Sequence, residues 1–197
     1  MSKGMSEKSI FFALDPIFHP RSVAVLGASG KQGKIARVLM DRFLEMGFPT
    51  LYPVNPRESE IMGLKAFKNV VDIPAPVDMA IILTPTDAAL TAVKDCVKKK
   101  VKTIVITTSG FGEVGERGRE IQQEMARIAR EGGARIIGPN CVGIYCPSSR
   151  LPFLCQAGKD PGTVGVVSQS GFFADFLTQT ATANGIKFSK AISCGNE

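Results

Sequence analysis

One stretch, Ser22 to Lys34, constrains the fold more than any other. A four-residue apolar run, Val23 to Leu26, passes directly into Gly27-x-x-Gly30-x-x-Gly33. A short apolar run bounded by glycine reads as a buried β-strand, and the segment after the last glycine reads as a helix. The glycines let the backbone turn tightly and lie close to a bulky anion. The first amides of the helix then face that anion with the positive end of the helix dipole behind them. This is a phosphate cradle for a nucleotide-like ligand. It is not the dinucleotide fingerprint Gly-x-Gly-x-x-Gly, because the second glycine falls one place late.

The chain around the cradle repeats the same strand-then-helix alternation. Ile35, Val38, Leu39, Phe43 and Leu44 recur at helical spacing before Gly47 and Pro49, and residues 50–54 form a second strand. Residues 60–72 are a connection with a short strand and a helical turn. The near-continuous apolar run 77–83 is a third strand, of the kind that sits centrally in a parallel sheet. Helices are expected over 86–100 and 116–131, and further strands over 103–107 and 135–137. Lys98, Lys99 and Lys100 suit a helix C-terminus and need no ligand. The order predicts an α/β fold, a Rossmann-like doubly wound parallel sheet.

Ligands in such sheets bind at the carboxyl ends of the strands. Four strand-end loops therefore form the candidate lining: residues 28–33, 54–57, 83–85 and 108–111. A dehydrogenase would carry a carboxylate at the end of the second strand to grip the adenosine ribose. This chain has Val54-Asn55-Pro56-Arg57 there, an amide and a cation. That exchange argues against NAD and for a ligand with a phosphate, although an arginine here also suits an NADP 2′-phosphate.

A turn-rich stretch, residues 147–162, leads to a second unit. Residues 163–167 restart a strand, Ser168-Gln-Ser-Gly171 opens a helix from Phe172 to about Asn184, and another strand begins at Ile186. Two hydroxyls and a glycine at a helix N-terminus read equally as an anion site or as a plain N-cap. The domain layout read from the sequence is a disordered leader over 1–10, a first domain over 11–145 and a truncated second α/β domain over 146–197. A unit of two strands and one helix buries too little apolar surface to stand alone.

Bulk chemistry excludes several classes. Twenty-four Lys and Arg against 18 Asp and Glu give a net charge of +6, but these residues are scattered and no nucleic-acid recognition motif accompanies them. The five cysteines form no Cys-x-x-Cys pair, and with one histidine a Cys/His metal site is not expected. An odd cysteine count with no secretion signal points to reduced thiols in the cytoplasm. No apolar run is long enough to span a membrane. His19, next to Pro20 and outside any acidic or cysteine cluster, reads as structural.

With these residues in view, the sequence resembles the NDP-forming acyl-CoA synthetases, the superfamily that includes the α subunit of succinyl-CoA synthetase. The resemblance is carried by Phe18-His-Pro-Arg-Ser-Val-Ala-Val-Leu-Gly-Ala-Ser29, Tyr52-Pro-Val-Asn-Pro-Arg57 and Gly63-Leu-Lys-Ala-Phe67. It continues through Asp72-Ile-Pro-Ala-Pro-Val-Asp78, Gly138-Pro-Asn-Cys-Val-Gly143 and Gly165-Val-Val-Ser-Gln-Ser-Gly171. It implies that the first domain binds coenzyme A or acyl-CoA. Ser29, Gly30, Lys31, Gln32 and Gly33 would hold its phosphates, with Val54, Arg57, Leu83, Thr84, Pro85, Thr108 and Ser109 around the nucleotide and pantetheine. It implies a flavodoxin-like succinyl-CoA-synthetase-type second domain; Asn140 of the first domain, with Ser168, Ser170 and Gly171 of the second, would steady the phosphate or acyl phosphate.

In the implied reaction an acyl-CoA, ADP and phosphate give acid, CoA and ATP through an acyl phosphate and a phosphohistidine. That histidine is expected beyond Glu197, so no catalytic residue is assigned here, and His19 does not take its place. ADP or ATP and magnesium would enter through an ATP-grasp domain or subunit not represented in these residues. The expected chain is thus a CoA-binding portion, inactive alone. Two alternatives are a CoA-binding regulatory module of the kind fused to protein acetyltransferases and an NAD(P)-binding oxidoreductase.

Overall fold

The structure is a computed structural model that describes residues 7–154 and 157–196, with side chains described from residue 13 onward. The elements run α1 (Glu7–Phe18), β1 (Val23–Leu26), α2 (Ile35–Met46), β2 (Leu51–Val54), a hairpin of β3 (Glu60–Ile61) and β4 (Leu64–Lys65), and β5 (Met79–Ile82). Then come α3 (Thr86–Lys98), β6 (Thr103–Ile106), α4 (Glu116–Glu131), β7 (Arg135–Ile137), β8 (Ile144–Tyr145), β9 (Val164–Ser168), α5 (Gly171–Ala183) and β10 (Phe188–Ser193). Helix α1 starts inside the stretch expected to be a leader; residues 1–6 of that leader lie outside the described residues.

Five parallel strands form the main sheet in the order β2-β1-β5-β6-β7. Chain order reverses between β2 and β5, on either side of β1, so the loop that leaves β1 stands at the topological switch point. Strands β1, β5 and β6 are buried at all four positions, as central parallel strands covered on both faces must be. Alternation along each strand divides the core in two. Ala24, Leu26, Ala80, Ile82, Ile104 and Ile106 face one cluster, which α3 and α4 cover with Val93, Cys96, Met125 and Ala129. Val23, Val25, Met79, Ile81 and Val105 face the other, covered by Leu39, Met40 and Phe43 of α2 and by Ile17 of α1.

The buried face of α2 differs from the expected one. Ala36, Leu39, Met40 and Phe43 are inside, while Ile35, Val38 and Leu44 are exposed. The apolar stripe is broader than the buried one, and Ile35 looks onto a cleft instead of the core. The turn-rich stretch after β8 is likewise packed: Cys146 and Leu151 pair in an isolated bridge, and Leu151 and Phe153 are buried.

A second sheet has the order β8-β10-β9, with β10 antiparallel to β8 and parallel to β9. Ile144 and Tyr145, read from the sequence as the end of the first domain, hydrogen-bond in this second sheet. Its small core is Tyr145, Phe153, Ala174, Phe188 and Ala191. Phe172, Phe173 and Phe176 of α5 remain exposed. Among the described residues no helix is long and apolar enough to cross a membrane.

Candidate functional site

The four strand-end loops singled out by the sequence meet at the carboxyl edge of β1, β2, β5 and β6, and backbone geometry locks them together. The Gly27 N–H donates to the Val54 carbonyl (3.0 Å) and the Leu83 N–H to the Leu26 carbonyl (2.9 Å). Gly27 has φ +85°, and a Cβ there would stand 3.1 Å from the Leu83 carbonyl and the Thr84 nitrogen. Any side chain would thus wedge the first loop away from the third.

Side chains tighten the same joint. Asn55 Nδ2 donates to the Ala28 carbonyl (2.9 Å), and Asn55 Oδ1 accepts from the Arg57 N–H (2.9 Å). The amide read as a replacement for a ribose-binding carboxylate is therefore committed to joining two loops. Arg37, one residue the sequence did not single out, donates to the Gly30 carbonyl (2.8 Å) while pairing with Asp41 at 2.8 Å. Thr108 Oγ1 donates to the Thr84 carbonyl (2.7 Å), and Thr86 Oγ1 donates to the Ser109 carbonyl (2.9 Å). Val54 is buried, so only its backbone borders the loops.

What these loops present outward is mostly backbone and charge. Lys31, Gln32, Gly33 and Arg57 are exposed, and Ser29 Oγ accepts from the Lys31 N–H (3.2 Å). Among the described residues neither Lys31 nor Arg57 pairs with a carboxylate. Pro85 is exposed, and Thr84 Oγ1 is a buried hydroxyl with no partner. Unpaired cations and an orphaned hydroxyl beside a glycine turn fit a polyanionic ligand with a polar stem.

Beside this joint lies a cavity of about 600 Å³ between the two sheets, bordered by Ile35, Thr107, Asn140, Ser170, Gly171 and Asn196 among others. It brings together Asn140, Ser170 and Gly171. Ser168 does not border it, since its hydroxyl turns to the Ser170 carbonyl (3.1 Å). Ser170 Oγ accepts from the Phe173 N–H (3.2 Å), so Ser170 is the N-cap of α5. Asn140, with φ +59°, has its N–H on the Thr108 carbonyl (3.0 Å), which links the cavity to the loop after β6. Thr107 borders the cavity and Thr108 belongs to the joint, so the two spaces flank one stretch of backbone after β6.

Among the described residues that border the cavity, the one cysteine, Cys141, is not an activated nucleophile. Burial pushes the Cys141 thiol up to about 12, and its S–H donates to the Ile106 carbonyl. Cys96, on α3, is pushed to about 12 by burial and then by the Asp95 carboxylate. Thiolate formation controls cysteine reactivity. At pH 8 iodoacetamide is thus expected to leave Cys96 and Cys141 intact in the folded chain while modifying the half-buried Cys194. Peptide mass spectrometry checks this, and modification of Cys141 ahead of Cys194 would contradict it. His19 pairs with Asp15 at 2.9 Å before β1, on the amino edge of the sheet and away from these loops. Among the described residues no group of three or more His, Cys, Asp or Glu side chains gathers as a metal site.

Comparison with known proteins adds the following. Residues 21–147 match the family described as CoA binding domain, and residues 161–197 match the succinyl-CoA ligase like flavodoxin domain. The α subunit of an ADP-forming acetate–CoA ligase (II) from Pyrococcus furiosus is 42% identical over 185 residues, covering 93% of this chain and 40% of that protein. A trans-feruloyl-CoA synthase from an unknown prokaryote is 34% identical over 93% of the chain and 27% of its own length. Among solved structures, an acetyl-coenzyme A synthetase from Candidatus Korarchaeum cryptofilum, in complex with phosphate and ADP, superposes with a TM-score of 0.86. It is 38% identical over 92% of this chain and 39% of that one. The chain thus spans about two fifths of the length of the first of these relatives.

Proposed function

The chain belongs to the CoA binding domain family, and on that premise we propose that it binds coenzyme A or acyl-CoA as the CoA-binding portion of an ADP-forming acyl-CoA ligase. The observation that supports this most is the joint of four strand-end loops at the switch point, with Lys31 and Arg57 unpaired around the glycine turn. The CoA phosphates lie against the backbone of Ser29, Gly30, Lys31, Gln32 and Gly33, where N–H groups and fixed cations stabilise negative charge. Arg57 faces a nucleotide phosphate, and Val54, Leu83, Thr84 and Pro85 border the nucleotide. Thr108 and Ser109 carry the pantetheine arm towards the cavity.

There the reacting carbonyl meets phosphate beside Asn140, Ser170 and Gly171, with Ser168 bracing the turn behind them. Fixed N–H donors suit the charge that develops on the phosphate and acyl oxygens. ADP and its metal, and the partner that brings them, belong to an ATP-grasp domain or subunit. The histidine that carries a phosphoryl group in the implied reaction is not His19, which stands on the opposite edge of the sheet.

Thermal shift measurements test the binding reading. A ligand at a hundred times its Kd stabilises by about 2.7 kcal/mol, which for a chain of this size raises Tm by roughly 5–10 °C. CoA is expected to produce that rise and NADPH is not. Arg57→Ala is expected to weaken CoA about tenfold, the equivalent of one lost charge-assisted hydrogen bond. Protection by NADPH without protection by CoA would reassign the pocket to an oxidoreductase cofactor.

A further inference from the structure

One carboxylate ties loops that belong to different sheets. Glu113, in the loop after β6, accepts from the N–H groups of Gly110 and Phe111, and its Oε2 also accepts from Asn196 Nδ2. Gln122 of α4 accepts from the Gly112 N–H (3.2 Å) and from the same Asn196 nitrogen (3.1 Å). On its other side Asn196, which follows β10, accepts from Asn140 Nδ2 through Oδ1 (3.3 Å) and donates its N–H to the Pro139 carbonyl (2.9 Å). A continuous path therefore runs from the loop that carries Thr108 and Ser109 through Glu113 and Asn196 to Asn140. Glu113 and Gln122 lie in the first unit and Asn196 follows the central strand of the second sheet.

Partial burial pushes the Glu113 carboxyl up, but the Gly110 N–H, the Asn196 amide and the Phe111 N–H outweigh it and hold it below its ordinary value. It is a fixed anion at neutral pH, and hydrogen bonds to a charged acceptor are the stronger kind. The loop ends it joins are the ones assigned above to pantetheine and to phosphate. Ordering one end lowers the cost of ordering the other, and such coupling is reciprocal.

We propose that Glu113 and Asn196 are positioning residues that couple CoA binding at the strand-end joint to phosphate binding in the adjoining cavity. The inference rests on the CoA and phosphate reading of those two spaces. It assigns the coupling to a polar latch in which Glu113 stands outside the cavity and Asn196 borders it.

Calorimetry on the whole chain tests it, with CoA and inorganic phosphate titrated separately and each in the presence of the other. In the unaltered chain CoA is expected to tighten phosphate about fivefold or more, and phosphate to tighten CoA by the same factor. Glu113→Gln and, separately, Asn196→Ala are expected to bring both ratios to about one while the Kd for CoA alone changes less than about threefold. Glu113→Asp should restore part of the ratio. Glu116→Gln, which removes only an exposed partner of Arg119, should leave it unchanged. Should Glu113→Gln fail to fold, Asn196→Ala and Gln122→Ala carry the test. Ratios that stay near the unaltered value in variants that bind CoA overturn the latch and leave the binding reading standing. Absence of CoA binding to the unaltered chain overturns both.

Discussion

Phe111→Ala is expected to destabilise the chain by about 3–5 kcal/mol, the range for removing a large aromatic side chain from a packed interior. Phe111 is fully buried in the cluster shared by α3 and α4, although it sits in a loop. Its N–H donates to Glu113 and its carbonyl accepts from Val114 at 3.0 Å. The ring thus pins the segment between β6 and α4, the segment that presents Thr108 and Ser109. Two consequences should appear together. The urea midpoint should fall, and CoA affinity should fall by more than Arg57→Ala produces, because a whole loop is released instead of one cation. A midpoint unchanged from the parent chain would show that the cavity refills without cost and would remove this anchor.

Gly195→Ala is the second large effect. Gly195 has φ +72°, and a Cβ there would stand 2.0 Å from the Pro139 carbonyl oxygen and 3.0 Å from that of Asn140. The left-handed backbone alone costs a non-glycine residue about 1–2 kcal/mol. The clash with main chain adds to that, because a carbonyl in a packed turn cannot rotate away as a side chain does. The two turns must separate, and the Asn196 N–H bond to Pro139 lengthens with them. The expected result is a loss of about 2–4 kcal/mol together with a marked loss of phosphate affinity and CoA binding largely retained. Hydrogen exchange of residues 139–142 should rise while that of β1, β5 and β6 stays slow. Uniformly fast exchange would mean that the turn supports the whole fold and not the cavity.

The sequence carried much of this molecule, for physical reasons that can be named. Val23–Leu26, Met79–Ile82 and Thr103–Ile106 are unambiguous because a central parallel strand is buried on both faces and leaves an uninterrupted apolar signature. The carboxyl-edge loops followed from the order of those strands. What sequence could not supply was the direction in which a small polar side chain turns. Asn55 and Thr108 have the chemistry to face a ligand, and both also donate to main-chain carbonyls of neighbouring loops. Glu113 gave no signal, since its partner Asn196 lies 83 residues away and neither stands in a recognised motif. Two-residue strands such as β8 were also illegible, because their pairing is decided by a distant partner and not by their own residues.

Strand β10 has a consequence for the order in which the molecule comes into being. The main sheet is complete once Ile137 is available, and its strands pair through short local crossovers. In the second sheet β8 and β9 do not pair with each other; among the described residues each pairs with β10. During synthesis, therefore, the first unit can close while residues 144–187 wait for a strand not yet made. Through that interval the aromatic side chains that will surround Ala174 and Ala191 have no sheet to cover. Non-local pairing of this kind is slow and exposed to misassembly. The cavity between the sheets then forms after the joint of strand-end loops already stands.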